Sequence, residues 1–163
     1  MTACIRFLFR CYYFLLNVLG GKVIGARAII LSPDKKQILL VYHTYCPNWH
    51  LPGGGVKRGE HPLQAVQREI FEEAGVRCLE EPKFFGIYYQ KYMGVDDCPI
   101  LYSVEDFTQE CVQSREIKEC KWFPIDDLPL DLERGSHQRI REYFFGETPS
   151  LCWRPPLKQD KVK

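Results

Sequence analysis

The sequence predicts a single α/β domain. Its 163 residues are the length of one domain, and 45% hydrophobic with 26% charged residues is the balance of a globular chain with a buried core. Apolar segments of strand length surround one well-marked amphipathic helix, so both strands and helices are expected. This composition excludes a disordered or fibrous chain.

Charge and cysteine content narrow the functional class. Lysine and arginine number 22 against 21 acidic residues, a formal net charge of +1, which gives no overall electrostatic attraction for DNA or RNA. The eight cysteines contain no C-x-x-C pair, so zinc ribbons and thioredoxin-like redox motifs have no support. We therefore expect reduced, mostly buried thiols and a cytoplasmic protein.

Residues 1–21 are predicted to be an apolar segment that packs on the domain as a short helix or strand. The segment is strongly apolar, but Arg6 and Arg10 interrupt it. Its uninterrupted apolar run, Cys11–Leu16, is far shorter than the roughly 20 residues that span a bilayer. Membrane-surface attachment and secretion stay open as alternatives, although the two glycines that follow make a poor signal-peptide cleavage site.

Two strands and a turn are predicted next. Val23–Leu31 and Gln37–His43 are apolar and rich in residues that favour strands. The Ser32–Lys35 segment between them contains Pro and Asp and has turn chemistry, so we expect a hairpin. The segment Leu51–Gly59 holds four glycines and is predicted to be a loop.

His61–Ala74 is the clearest helix of the sequence. Val66 and Ile70 are four residues apart and therefore share one apolar face. Gly75 occupies the position expected for a left-handed C-cap. Glu60 precedes the helix and is expected to cap its N-terminus or to interact with its dipole.

The rest of the domain is predicted to hold three further strands and a closing helix. The domain spans residues 22–153, and residues 154–163 form a loose tail. The polar stretch Thr108–Glu119 is expected to be a loop. The predicted elements are the strands Lys83–Gln90, Pro99–Val104 and Cys120–Pro124 and the helix Ser136–Phe145.

Three glutamates on the first helix indicate chemistry. Glu69, Glu72 and Glu73 are related by three and four residues, so their carboxylates converge on one patch. Three such anions repel each other unless a cation lies between them, and the usual solution is a hard divalent ion, Mg²⁺ or Mn²⁺. The glycine-rich loop lets the backbone approach that ion, and the carbonyl of Gly53 is a candidate ligand.

An arginine beside this patch has a structural role. Arg68 lies one residue before Glu69, so we expect it to point away from the glutamate patch. Its position suits an ion pair with Glu60, which would pin the loop to the helix.

These residues together resemble the Nudix box, G-x5-E-x7-R-E-U-x-E-E-x-G-U, in which U is bulky and apolar. Every specified position of that pattern is matched between Gly54 and Val76. The order of the flanking elements extends the resemblance to roughly residues 22–145. The resemblance implies the Nudix fold, an α/β/α sandwich around a mixed β-sheet.

The resemblance also implies an activity, namely Mg²⁺-dependent hydrolysis of a nucleoside diphosphate linked to another moiety, with water attacking phosphorus. It assigns Glu69, Glu72 and Glu73 as metal ligands and catalytic groups, and leaves open which takes the proton from water. A further carboxylate beyond the box is expected, and Glu119 is preferred over Glu116. A nucleotide-binding sensor without turnover is the alternative, and a homodimer is left open.

Substrate recognition is less well specified by the sequence. Arg27 on the first strand is a candidate for phosphate contact, with an exposed surface charge as the alternative. Nudix members that act on dinucleoside polyphosphates often carry a Tyr after the box. Tyr89 is our candidate for stacking on a base, and neighbouring Tyr88 and Tyr92 fit the same region. The partner expected from the resemblance is therefore a small nucleotide derivative.

Overall fold

The described part of the chain comprises residues 2–154 of a computed structural model, in which three helices and ten strands are formed. The helices are α1 (Thr2–Val18), α2 (Pro62–Ala74) and α3 (Arg134–Phe145). The strands are β1 (Lys22–Ile30), β2 (Gln37–His43), β3 (Trp49–His50), β4 (Gly53–Gly55), β5 (Val76–Cys78), β6 (Lys83–Ile87), β7 (Gln90–Tyr92), β8 (Val95–Val104), β9 (Phe107–Gln109) and β10 (Ile117–Pro124). Except for Arg154, the tail predicted for residues 154–163 lies outside the described residues.

The largest sheet is mixed, as predicted. Its strands run in the order β4-β1-β8-β6, with β7 also paired to β8. Strands β1 and β8 are parallel along their whole common length, and the other pairs are antiparallel. A second sheet has the order β10-β2-β3, and β5 pairs with β9 separately.

Two apolar cores lie on opposite faces of these sheets. Along β1, Ala28 and Ile30 are fully buried in the core that contains Val66 of α2. Between them, Ile29 belongs to the other core, together with Ile140 of α3. Because alternate side chains of a strand point to opposite faces, the sheet lies between α2 and α3. The predicted α/β/α fold class is thereby confirmed.

The predicted hairpin between β1 and β2 is wrong. Both strands lie where the sequence places them, but they are joined only by a single bridge between Leu31 and Ile38. The two edges of β1 are occupied by β4 and β8, and β2 pairs with β10 and β3. Adjacency in sequence suggested pairing, and the hydrogen-bonding edges of β1 are used by more distant segments instead.

Short strands account for most other differences. The loop predicted for Leu51–Gly59 contains β4, in which three glycines pair with β1. Strand β9 extends into the start of the predicted loop Thr108–Glu119, and the predicted strand Lys83–Gln90 is divided between β6 and β7. Strands of two or three residues are too short to show an apolar alternation, so the sequence pattern does not reveal them.

Helix α2 is capped by His61 and not by Glu60. The His61 side chain accepts from the Leu63 N–H, and the Gln64 side chain accepts from the His61 N–H, which completes a reciprocal capping box. At the other end, Gly75 has φ +67°, the left-handed C-cap that was predicted. Glu60 forms an ion pair with Arg68 instead.

The N-terminal segment forms helix α1. Its Tyr13 is buried and meets the Tyr92 ring edge to face, with the ring centroids 5.2 Å apart. The exposed side of α1 carries Phe7, Phe14, Leu15 and Val18 together with Arg10. Among the described residues, no helix has the length and apolar content needed to cross a membrane.

A buried carboxylate begins helix α3. Glu133 accepts from the Ser136 N–H at 2.8 Å and from the Arg154 Nε at 2.6 Å. Burial alone would raise its pKa, but the N–H groups of Gly135 and Ser136 and the charge of Arg154 lower the pKa to about 2. The carboxylate form is therefore strongly favoured in the folded protein.

Glu133→Gln should lower the free energy of unfolding at pH 7 by about 1–3 kcal/mol. Because the folded pKa is below the ordinary value of 4.5, the carboxylate contributes stability above that value and loses it as the pH falls toward 2. The difference between parent and variant should therefore shrink in denaturant titrations from about pH 5 to about pH 2. Glu110→Gln on the surface is the control, and a constant difference at all pH values would contradict the assignment.

Candidate active site

A cavity of about 240 Å³ opens beside the glycine strand β4. Its floor is the face of the mixed sheet that carries Gly25 and Arg27 of β1. Helix α2 supplies one wall through Glu69 and Glu73, and α1 supplies another through Tyr13. The cavity therefore joins the box residues to side chains from distant parts of the chain.

Glu73 is a buried carboxylate at the α2 side of this cavity. It is 7% exposed, and its Oε2 accepts from the Gly53 N–H at 2.8 Å. Burial raises the pKa of Glu73 to about 8, a shift that Gly53 and Arg27 oppose and that neighbouring Glu69 and Glu116 reinforce. A cation in addition to Arg27 would stabilise the buried Glu73 carboxylate and reduce its repulsion by Glu69 and Glu116.

Glu69 lies one helical turn before Glu73 and is half-buried. A Cβ placed on Gly54 would come within 2.5 Å of the Glu69 carboxyl carbon, so only glycine leaves room for this carboxylate. Burial raises the pKa of Glu69, and Arg68 opposes that shift. Glu72 is more exposed and contacts Arg68 Nη1 at 3.4 Å. The three glutamates thus share one side of α2, with Glu73 innermost.

Arg68 pairs with Glu60, as the sequence suggested. Its Nε and Nη2 donate to the two Glu60 oxygens at 2.7 and 2.9 Å, and Nη2 also donates to the Gly55 carbonyl. The expectation that Arg68 points away from Glu69 is wrong, because Nη1 donates to Glu69 Oε1 at 2.6 Å. A long, branched guanidinium reaches both neighbours at once, so this residue orients a carboxylate as well as the loop.

Arg27 lines the cavity from strand β1. Its Nη1 donates to the Gly53 carbonyl at 2.8 Å and to the Leu51 carbonyl at 3.3 Å. Its charge lowers the pKa values of Glu73 and Asp97, against the effect of their burial. This position agrees with the predicted contact to a phosphate, since the guanidinium carries further donors beyond Nη1.

Two histidines of the cavity were missed by the sequence, because they show no ligand spacing. His43 Nε2 lies 3.8 Å from Glu73 Oε1. Burial, Arg27 and His50 lower the pKa of His43 to about 3, and burial and Arg27 lower that of His50 to about 4. Both rings are neutral near pH 7. His43 Nδ1 is buried and has no hydrogen-bond partner within residues 2–154.

The structure distinguishes between the candidate glutamates, and between the candidate tyrosines, that follow the box in the sequence. Both residues are exposed, but Glu116 lines the cavity and acts on Glu73 through its charge, whereas Glu119 lies outside the cavity on β10, opposite Tyr42. Similarly, Tyr92 lines the cavity, whereas Tyr89 is 44% exposed and donates to Asp96 at 2.9 Å. The structure thus brings Glu116 and Tyr92 to the site, and it does not bring Glu119 or Tyr89 there.

The donor set suits a hard divalent cation. Within the described residues, no three His, Cys, Asp or Glu side chains converge closely enough to form a metal centre by themselves. The cavity does present two neighbouring carboxylates, Glu69 and Glu73, beside the Gly53 carbonyl, and all three supply oxygen. Mg²⁺ prefers oxygen and is held in proteins by one or two carboxylates, with water and substrate phosphate completing its shell. The residues therefore fit the predicted Mg²⁺ or Mn²⁺.

Comparison with known proteins agrees with this geometry. Residues 21–144 match the family model described as the NUDIX domain. The chain is 32% identical over 122 residues to a putative 8-oxo-dGTP diphosphatase of Bacillus subtilis (strain 168), covering 75% of this chain and 80% of that protein. It is 39% identical over 156 residues to an RNA pyrophosphohydrolase of Bartonella henselae, covering 80% and 86%.

Other matches cover a smaller part of the relative or have a lower sequence identity. The m7GpppN-mRNA hydrolase dcap-2 of Caenorhabditis elegans is 34% identical over 116 residues, but the match spans only 14% of that protein. The crystal structure of a MutT NUDIX hydrolase from Burkholderia pseudomallei superposes with a TM-score of 0.65 and 27% identity, covering 74% of this chain and 96% of that one. A NUDIX hydrolase from Nitrosomonas europaea, at 22% identity and a TM-score of 0.66, shares the fold over 87% of this chain and 97% of that one.

Arg68→Ala should destabilise the protein by about 1–3 kcal/mol, because it leaves Glu60 and Glu69 without their shared partner in a half-buried place. Chemical denaturation measures this loss. Arg77→Ala is the control, since its pair with Glu110 is exposed and its stacking on Phe71 adds only about 0.5–1 kcal/mol, so the total loss should be smaller than for Arg68→Ala. Equal unfolding free energies for the two variants would show that Arg68 does not hold the loop.

Proposed function

Because the chain belongs to the NUDIX family, we propose that it hydrolyses the pyrophosphate linkage of a nucleoside diphosphate attached to another moiety, with Mg²⁺ or Mn²⁺ as cofactor. Relatives named as a diphosphatase and as a pyrophosphohydrolase agree with this class of enzyme. The chain carries every specified residue of the box between Gly54 and Val76, including the carboxylates whose loss would favour a sensor without turnover.

One observation carries the proposal. Two carboxylates of α2, Glu69 and Glu73, stand next to the glycine strand and face the same cavity as Arg27. Such a place combines oxygen donors for a cation with a fixed guanidinium for phosphate. A pyrophosphate carries several negative charges and repels an attacking water, so a site that hydrolyses it needs positive charge at this point.

The residues that line the cavity would have different roles in this reaction. Glu69 and Glu73, with the Gly53 carbonyl, would hold the cation, and Glu72 stands at the outer edge of the same helix face. A bound Mg²⁺ supplies charge neutralisation and lowers the pKa of a coordinated water. Arg27 orients the phosphates from the floor of the cavity. Glu116, which comes directly before β10, lines the same cavity. It is our candidate to accept the proton from the attacking water.

The substrate panel follows from the names of the relatives. It should contain nucleoside triphosphates, oxidised dGTP, dinucleoside polyphosphates, and a short RNA with a 5′ triphosphate. The RNA is included because two relatives are named for RNA substrates. Phosphate release with Mg²⁺ or Mn²⁺, with added phosphatase where the product requires it, identifies the class that is turned over.

Glu73→Gln should reduce kcat by roughly 10²- to 10⁴-fold on whichever substrate the parent turns over. The amide oxygen of Gln can still accept from the Gly53 N–H, so the fold should persist. Turnover is measured by phosphate release, and the fold by circular dichroism and thermal melting. A folded variant with normal turnover would exclude Glu73 from the metal site, and unchanged turnover after addition of chelator would exclude the cofactor.

Glu116→Gln should lower kcat by about 10-fold or more, whereas Glu119→Gln should leave it within about twofold. The reason is position, because Glu116 lines the cavity and Glu119 is exposed outside it. Both substitutions remove one negative charge from the same stretch of chain, so each is the other's control. The reverse order of effects would return the catalytic role to Glu119.

A further inference from the structure

The end of the cavity away from α2 is built by alternate residues of three strands. Strand β1 contributes Val23 and Gly25, β7 contributes Gln90 and Tyr92, and β8 contributes Asp97. These positions lie on one face of the mixed sheet because side chains two residues apart point the same way. The parallel register of β1 with β8 sets Val23 opposite Asp97. The function proposed above assigns no role to this end.

Asp97 and Gln90 form a polar pair at this end. They are directly opposite each other in the β7–β8 ladder, and Gln90 Nε2 donates to Asp97 Oδ2 at 2.8 Å. Asp97 is 9% exposed, and burial raises its pKa. Gln90 Oε1 is also buried, and no group within residues 2–154 donates to it. A buried acceptor without a donor costs free energy, so a ligand that donates a hydrogen bond to Gln90 Oε1 would be stabilised here.

The pair offers two acceptor oxygens and one remaining N–H of the Gln90 amide. Asp97 uses one carboxylate oxygen for Gln90, which leaves Oδ1 without a hydrogen bond among the described residues. Gln90 uses part of its NH₂ group for that bond and leaves Oε1 open. The neighbouring cation Arg154 donates to Glu133 at 2.6 Å. A ligand group that fits here therefore carries two neighbouring N–H donors.

The surroundings favour a flat ligand that reaches back to the glycine strand. The rings of Tyr13 and Tyr92 lie edge to face at one side of the cavity and offer an aromatic surface. At Gly25, the place of a Cβ is 3.7 Å from Asp97 Oδ1 and 3.8 Å from the Gly54 carbonyl. Because Gly25 has no side chain, the passage between the polar pair and β4 stays open.

We propose that Asp97 and Gln90 form a base-recognition subsite that selects a guanine-type edge, in which N1–H and the N2 amino group are adjacent donors. This inference rests on the proposed function, in so far as the cavity takes a nucleotide. Adenine presents an acceptor, N1, beside its amino group, and that acceptor would face an acceptor of the pair. Inosine keeps the N1–H but lacks the N2 amino group, so it satisfies only half of the subsite.

The test uses nucleoside monophosphates, so that no turnover is needed. Calorimetric titration of the full chain with GMP, IMP and AMP, in the presence of chelator, measures base preference alone. GMP should bind about 10- to 100-fold more tightly than AMP, with IMP between them. Asp97→Asn keeps the size of the side chain and the bond from Gln90 but presents an NH₂ group, which can donate to adenine N1, so the preference for GMP should disappear and AMP should bind at least as tightly as it binds to the parent.

Asp96→Asn is the matched control. It removes the same charge from the adjacent residue of β8, where Asp96 is bonded to Tyr89 outside the cavity. The control should retain the preference for GMP, and thermal melting should show that both variants fold. Equal affinities of the parent for the three nucleotides, or a preference that survives Asp97→Asn, would overturn the subsite. Preferential GMP binding without hydrolysis in the panel would contradict the proposed function and leave the subsite intact.

Discussion

The hydrogen bond from the Gly53 N–H to the Glu73 carboxylate holds the site together. Gly53 has φ +135°, and a Cβ at this residue would overlap the Ala26 carbonyl of β1. Positions 53 and 54 of β4 can therefore be only glycine between α2 and β1, and Glu73 supplies the contact from the helix side. Since Val66 and Ile70 of the same helix are buried in the core, that packing fixes the part of α2 from which Glu69 and Glu73 project.

Local pattern predicted the elements better than their pairing. The apolar run of β2 and the spacing of Val66 and Ile70 in α2 gave nearly the observed bounds, because each depends on which face of one element is buried. The partner of β1 could not be inferred in this way. Its longest pairing is with β8, far along the chain, and residue patterns within a strand do not specify which edge a distant strand occupies.

The same distinction separates the two ends of the site. Glu69, Glu73 and Arg68 lie on one helix, so their convergence follows from helical geometry, and the neighbouring loop brings Glu60 within reach. Asp97 and Gln90 meet only because β7 and β8 pair, and they face the box only because β8 runs parallel to β1. A sequence shows these residues as ordinary polar positions in strands, and nothing in their spacing distinguishes them from solvent-facing side chains.

Arg27 connects the two ends, because β1 is the strand that both share. Its guanidinium donates to the Gly53 carbonyl, and its charge opposes the effect of burial on both Glu73 and Asp97. An anion bound near Arg27 would partly neutralise the guanidinium charge. Arg27 would then lower the pKa values of Glu73 and Asp97 less than it does without the anion. The charge states of Glu73 and Asp97 are therefore coupled through one residue of β1. A substrate that places phosphate against Arg27 would favour a hard cation beside Glu73 and N–H donors beside Asp97 in the same binding event.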